Sequence, residues 1–200
     1  MIAKRIVDWS ISLSVLLIML PLWIVVATTI KTSSAGPVFF RQRRIGISGS
    51  EFTMFKFRSM KVGSDPTSLA GGGDPRVTRI GSWLRSSAFD ELPQLINVLR
   101  GEMSIVGPRP ALPEMVSYYT KIQKERLCVK PGMTGWAQVN GRNSLPYHDR
   151  LHLDVWYARN CSLWLDLKIL KRTIPALLKR EGIYQEVPRP WEQSPTEDTD

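Results

Sequence analysis

The chain has 200 residues, enough for one domain plus an anchor. Lys and Arg outnumber Asp and Glu by 27 to 18, and the net charge of +9 calls for an anionic partner: phospholipid, nucleic acid or a phosphorylated substrate. Cys128 and Cys161 lie far apart, which argues against a disulfide framework or a metal-spaced pair and fits reduced thiols in a cytoplasmic domain.

The first predicted element is apolar. No charge occurs from Trp9 to Ile30; Lys4 and Arg5 precede this stretch, and Lys31, Arg41, Arg43 and Arg44 follow it. About 22 helical residues at ~1.5 Å rise reach roughly 33 Å, just enough to cross a bilayer. Cationic flanks stay on the cytoplasmic side, and here both flanks are cationic. Pro21, in the middle, is placed to kink the helix so that it enters and leaves by the same side. On charge alone, a re-entrant helix and a single span are equally open. A signal peptide is disfavoured: Ala27 is followed by Thr28 and Thr29, with no small-x-small cleavage site.

Gly36-Pro37 marks a turn. Strands are predicted at Val38–Phe40 and Glu51–Phe57 around a basic Arg41–Ile47 turn. Lys61 to Gly73 reads as loop, and its Gly71-Gly72-Gly73 run lacks the Lys-Ser/Thr of a P-loop. Arg76–Ser87 is predicted helical, with Ile80 and Leu84 on one face. In the next helix Asp90 caps, Pro93 occupies the first turn, Leu92, Leu95, Ile96 and Leu99 form the apolar stripe, and Gly101 terminates. A loop over Gly107-Pro108-Arg109-Pro110 leads to a helix at about 112–124. Residues 130–135 are expected to be irregular, and Asn140-Gly141 signals a turn. Helices at about 147–159 and 162–180 close the domain, carrying Trp156 and Trp164 beside Lys168, Lys171, Arg172, Lys179 and Arg180. Those tryptophans suit either a membrane interface or the core. His148 and His152, at i and i+4, read as a surface pair rather than a zinc site. Residues 184–200, proline-containing and acidic at the end, are expected to be a poorly ordered tail.

The informative cluster is Asp90-Glu91 at a predicted helix start. Exposed N–H groups there favour anions. An ionised Asp can attack phosphorus while its neighbour holds Mg²⁺ through oxygen. Alone, the pair reads as ordinary capping. Basic residues at Lys56, Arg58, Arg85, Arg109 and Arg142 add weight, because guanidinium forks match phosphate oxygens and turn arginines are awkward as filler.

Five segments then appear in order: Phe55-Lys56-Phe57-Arg58-Ser59-Met60, Asp90-Glu91-Leu92-Pro93-Gln94-Leu95, Met103-Ser104-Ile105-Val106-Gly107-Pro108-Arg109-Pro110, Lys130-Pro131-Gly132-Met133-Thr134-Gly135, and Gln138-Val139-Asn140-Gly141-Arg142. With them the chain strongly resembles the bacterial sugar transferase family, the monotopic polyprenyl-phosphate phosphoglycosyl transferases, in its minimal form. The resemblance runs from the anchor to about residue 180. It implies a membrane-docked enzyme that moves a sugar phosphate from a UDP-sugar to undecaprenyl phosphate and releases UMP. By that likeness Asp90 is the nucleophile and Glu91 a Mg²⁺ ligand. Lys56, Arg85, Arg109 and Arg142 lie near phosphate or nucleotide-sugar, with Gln138 and Asp154 as weaker carry-overs. The family's anchor is a re-entrant helix broken at Ser-Pro. This chain has Leu20-Pro21, keeping the proline and lacking the serine hydroxyl.

The expectation is an α/β fold: residues 1–35 a re-entrant membrane anchor, 36–183 a cytoplasmic catalytic domain of amphipathic helices with a short strand element, and 184–200 the tail. The location is the cytoplasmic face of the bacterial inner membrane. Inner-membrane lipid is a partner, a homodimer is compatible, and no nucleic-acid motif is present. Two rivals stand: direct ternary transfer in which Asp90 and Glu91 only hold metal, and a non-catalytic basic membrane adaptor.

Overall fold

The computed structural model describes residues 2–63 and 74–178. It is a mixed helix and strand fold in which one long apolar helix joins a small helical domain with short strands. The elements are α1 (Ile2–Ser33), β1 (Phe39–Ile45), β2 (Glu51–Phe57), α2 (Arg79–Ser86), α3 (Gln94–Arg100), β3 (Ser104–Val106), α4 (Pro113–Val116), α5 (Lys121–Lys124), β4 (Gly132–Thr134), α6 (Trp136–Val139), α7 (Tyr147–Asn160) and α8 (Leu163–Leu178).

α1 is the helix expected from the charge-free stretch, with a mean hydropathy of 2.5 over its most apolar part and little of that part buried. Helical residues run unbroken through Pro21. The kink expected at Pro21 is thus a matter of a bend within one helix and not of a gap between two, since a proline inside a helix removes its own N–H bond while the turns on either side persist. The polar flanks of α1 are docked. Lys4, Arg5, Asp8 and Trp9 all hydrogen-bond to the rest of the chain at its N-terminal end. At the other end Val26 and Ile30 pack with Phe57 and Leu84.

β1 and β2 form an antiparallel hairpin with Phe39 opposite Phe57 and Ile45 opposite Glu51. β1 therefore runs through Arg41, Arg43 and Arg44, where the sequence predicts a turn. Exposed arginines alternate with partly buried residues along it, a period of two that the charge count concealed. The turn itself is Gly46–Ser50. A second pair, β3 with β4, is parallel and places Ser104 opposite Gly132 and Val106 opposite Thr134. β4 lies in the 130–135 segment expected to be irregular. Its glycines permit it: a Cβ on Gly132 would lie 2.0 Å from the backbone N of Gly107. Only glycine allows this approach.

The helix expected at 112–124 is two short helices, because Thr120 starts a new one with a capping box to Gln123. Trp164 is 79% exposed and Trp156 43%, so neither is core. The buried aromatic of α7 is Tyr157, which sits with Met54, Val98, Met103 and Ile169 in the main core. Most of the predicted 61–73 loop, Lys179, Arg180 and the predicted tail lie outside the described residues.

Candidate active site

The site forms where α3 meets β2. Asn97, fully buried on α3, receives the Phe55 backbone N–H on Oδ1 and donates Nδ2 to the Thr53 carbonyl and to Glu102. This staple brings the start of α3 against Lys56. Before α3, Ala88 adopts φ 57 and turns the chain into a short 3₁₀ turn, Phe89–Glu91. Asp90 thus stands ahead of the helix and does not cap it: the N-cap position is Pro93, with no side-chain cap.

Glu91 is held by two cations. Lys56 donates Nζ to Oε1 at 2.6 Å, and Arg109 donates Nη2 to the same oxygen at 3.0 Å. Burial opposes the charge on Glu91, but Arg109 and Lys56 outweigh it and hold the carboxyl well below the usual range. Asp90, 8% exposed, behaves oppositely. Burial pushes its pKa up to about 6, against the pull of Lys56, with Glu91 adding repulsion and Arg85 and Arg109 opposing it. One carboxylate is locked in its anionic form, while its neighbour titrates near neutrality.

Arg109 sits on a loop fixed carbonyl by carbonyl. Gly132 N–H donates to Pro108 O at 2.8 Å, Arg126 Nη2 to Arg109 O at 2.7 Å, Arg44 Nη1 to Pro110 O at 3.0 Å, and Ile45 N–H to Ala111 O at 2.9 Å. Residues 103–111 are buried except Arg109. The loop therefore presents one guanidinium to the site from an immobilised backbone.

The sequence-predicted residues sort as follows. Lys56 and Arg109 contact Glu91 directly. Arg85 acts on Asp90 through space, and its Nη1 is buried without a hydrogen-bond partner among the described residues. Arg142, held at φ 52, feels both Glu91 and Arg109; burial lowers its pKa and the Arg109 charge adds to that. Gln138 is on α6, with both amide atoms buried and unpartnered among the described residues. Unpaired buried polar atoms of this kind call for a ligand or water. Asp154 is set behind the site: its Oδ2 accepts two bonds from buried Arg126, which carries the Arg109 carbonyl. It has no direct bond to Glu91 or Lys56, and its Oδ1 is buried without a hydrogen-bond partner among the described residues. Arg58 is removed from the phosphate set. Its guanidinium donates to the Ile30, Ser34 and Ala35 carbonyls and closes the end of α1.

Sequence reading missed Arg126, Asn97 and Arg44. Burial, and next the Arg109 charge, lower the Arg44 pKa to about 10. Arg126 lies in a polar segment with no motif. The periodicity of β1 could have placed Arg44 inward.

The residues present suit Mg²⁺. Two adjacent carboxylates offer hard oxygens, and Glu91 Oε2 takes part in neither ion pair. No group of three or more His, Cys, Asp or Glu converges among the described residues. An ion at this site would therefore need ligands from substrate phosphate beside the carboxylates.

The sequence matches the family described as bacterial sugar transferase over residues 1–180. It is 42% identical to the uncharacterized sugar transferase EpsL of Bacillus subtilis (strain 168), over 92% of each chain. It is 46% identical to the UDP-glucose:undecaprenyl-phosphate glucose-1-phosphate transferase of Xanthomonas campestris pv. campestris, covering 92% of this chain and 40% of that one. It is 39% identical to the undecaprenyl-phosphate galactose phosphotransferase of Salmonella typhimurium, covering 90% of this chain and 41% of that one. The chain thus spans about two-fifths of the latter two relatives. A match over nine-tenths of its length, together with an acidic pair of which Glu91 is clasped by Lys56 and Arg109, has one reading: the chain belongs to the bacterial sugar transferase family.

Proposed function

We propose that this protein is a phosphoglycosyl transferase that moves a sugar 1-phosphate from a UDP-sugar to undecaprenyl phosphate through a phosphosugar carried on Asp90. The observation that carries this reading is the pairing of Glu91, bonded to Lys56 and Arg109, with an adjacent buried Asp90 that is ion-paired to neither. Lys56 and Arg109 bond to Glu91 and make no ion pair with Asp90 among the described residues, so the Asp90 carboxylate is left available as a nucleophile.

In the first half-reaction an Asp90 oxygen attacks the sugar-side phosphorus of the donor. The bond to the bridging oxygen breaks, and UMP leaves with that oxygen. In the second, a phosphate oxygen of undecaprenyl phosphate attacks the acyl phosphate and restores the Asp90 carboxylate. Arg85, Arg109 and Arg142 offset charge on the donor's diphosphate. Glu91 and the donor's phosphates would hold Mg²⁺, which supplies further neutralisation of the diphosphate. The named activities of the Xanthomonas and Salmonella relatives support this substrate pair.

Membrane docking belongs to the same proposal. Both ends of α1 bond to one domain, through Lys4 and Asp8 at the start and Arg58 at the finish. Such a helix cannot place its ends on opposite sides of a bilayer. This supports a re-entrant anchor at the cytoplasmic face of the inner membrane, even with Pro21 inside an unbroken helix.

The test is donor alone. Enzyme, UDP-sugar and Mg²⁺ without lipid should release about one equivalent of UMP per site, and intact mass should rise by one sugar phosphate mapped to Asp90. Asp90→Asn should abolish both. Turnover with lipid but no UMP without it would establish direct ternary transfer instead. No turnover with any UDP-sugar would favour a membrane adaptor.

A further inference from the structure

We propose that the first two turns of α1 are part of the active-site scaffold: Lys4 positions the Arg109 loop by fixing the Val106 carbonyl. This rests on the functional reading above for its kinetic consequences, though not for its structural ones.

A lysine that only oriented an anchor would face headgroups. Lys4 instead points into the domain. Its Nζ donates to Asp166 Oδ2 at 2.5 Å and to Val106 O at 3.0 Å. Asp166 and Tyr157 are buried. Tyr157 donates its hydroxyl to Asp166 Oδ1 at 2.6 Å and lies 3.2 Å from the same Val106 carbonyl. One turn further along α1, Asp8 Oδ1 accepts the Ile105 N–H at 3.1 Å. The anchor thus grips β3 on both a donor and an acceptor.

β3 leads straight into the Arg109 loop. Gly107 N–H continues the pairing to Thr134 O at 2.8 Å, and Pro108 O receives Gly132 N–H. Lys4 therefore acts at the upstream end of a run whose downstream carbonyls are held by Arg126 and Arg44. The same segment of α1 also reaches the other half of the site. Arg5 donates to Val98 O at 2.8 Å and Leu99 O at 3.1 Å, and Trp9 donates to Leu99 O at 2.9 Å. These are terminal carbonyls of α3, whose start follows Glu91 closely. Lys4 is a positioning residue: it touches neither substrate nor Glu91. A displacement of the Arg109 guanidinium by ~1 Å is enough to cost up to about a hundredfold in rate.

The experiment uses the full chain in phospholipid nanodiscs. Lys4→Met should lower donor-only UMP release about tenfold or more, with KM for the UDP-sugar changed less than about threefold and membrane assembly intact. In an Arg109→Ala background the same substitution should add less than about threefold, since the group it positions is gone. Equal losses in the two backgrounds would overturn the proposal, as would full activity of Lys4→Met. If Lys4→Met fails to assemble, the swap Lys4→Asp with Asp166→Lys decides: assembly with recovered turnover supports positioning, and assembly without turnover overturns it. Amide exchange gives a readout independent of activity. The Ile105 and Gly107 amides should exchange at least about tenfold faster in Lys4→Met, and unchanged protection would refute the proposal even if the wild type turned over no UDP-sugar.

Discussion

The pKa of Asp90 makes the chemistry testable by pH. At a value of about 6, Asp90 is about nine-tenths ionised at pH 7 and about one-tenth at pH 5. The rate of donor-only UMP release, measured as kcat/KM, should therefore show an acid limb near pH 6 and fall about tenfold per pH unit below it. Among the charges that oppose burial at Asp90, Lys56 is the largest. Lys56→Met should move the limb up by about one pH unit or more. With the limb near pH 7, Asp90 would be about half ionised at pH 7 and almost fully ionised at pH 8.5, so about half of the pH-dependent activity is lost at pH 7 and nearly all of it returns by pH 8.5. It also removes one partner of Glu91, so a pH-independent loss will be superimposed; the displaced limb is the diagnostic signal. The sign for stability follows. Asp90 binds its proton more tightly folded than unfolded, so its contribution is whole below about pH 4 and lost as pH rises through 6. The rise from 3.8 to about 6 corresponds to at most about 3 kcal/mol. Asp90→Asn should therefore raise Tm above pH 6, with the gain vanishing near pH 4. A wild-type limb near pH 4, or a Lys56→Met loss equal at every pH, would refute the argument.

Three further outcomes follow from the geometry. Arg126→Met leaves Asp154 buried without its partner and frees the Arg109 carbonyl; it should cost about 3–5 kcal/mol in chemical denaturation. Gly132→Ala drives a methyl against the Gly107 backbone and should lower Tm and slow UMP release together, whereas Gly49→Ala, with open space around it and φ 81, should cost only the backbone strain. Cysteine introduced at Ile2 should resist periplasmic labelling in intact cells, and labelling there would remove the re-entrant anchor.

Much of the fold was legible because its signals are local. The charge-free stretch gave α1, Gly101 closes α3 as its residue type indicates, and α7 begins where its pattern begins. What failed was non-local. Residues 132–134 are a strand only because 104–106 lies beside them; three residues of Gly-Met-Thr carry no strand pattern of their own. The charge of β1 hid its period of two, and Thr120 starts a second short helix inside a segment read as one.

The arginines show where sequence reading of the site stops. Arg58, Arg109 and Arg126 share one side chain and one charge, and motif context favoured the first two as phosphate ligands. The structure gives each a different task. Arg58 caps α1, Arg126 holds a carbonyl and a buried carboxylate, and Arg109 alone of the three stands half exposed beside Glu91. Burial separates them: a guanidinium spends its donors on whatever carbonyls surround it when water cannot reach it. Only one left at the surface keeps donors for an incoming diphosphate. The same logic explains why the chain invests Arg44, Arg126, Lys4 and Tyr157 in the backbone of a single loop. A flexible loop would let Arg109 follow the substrate's ground state. In the proposed mechanism, a loop fixed at Val106, Pro108, Arg109 and Pro110 would hold its charge beside the phosphorus under attack, and fixed charge of that kind lowers a barrier rather than merely tightening binding.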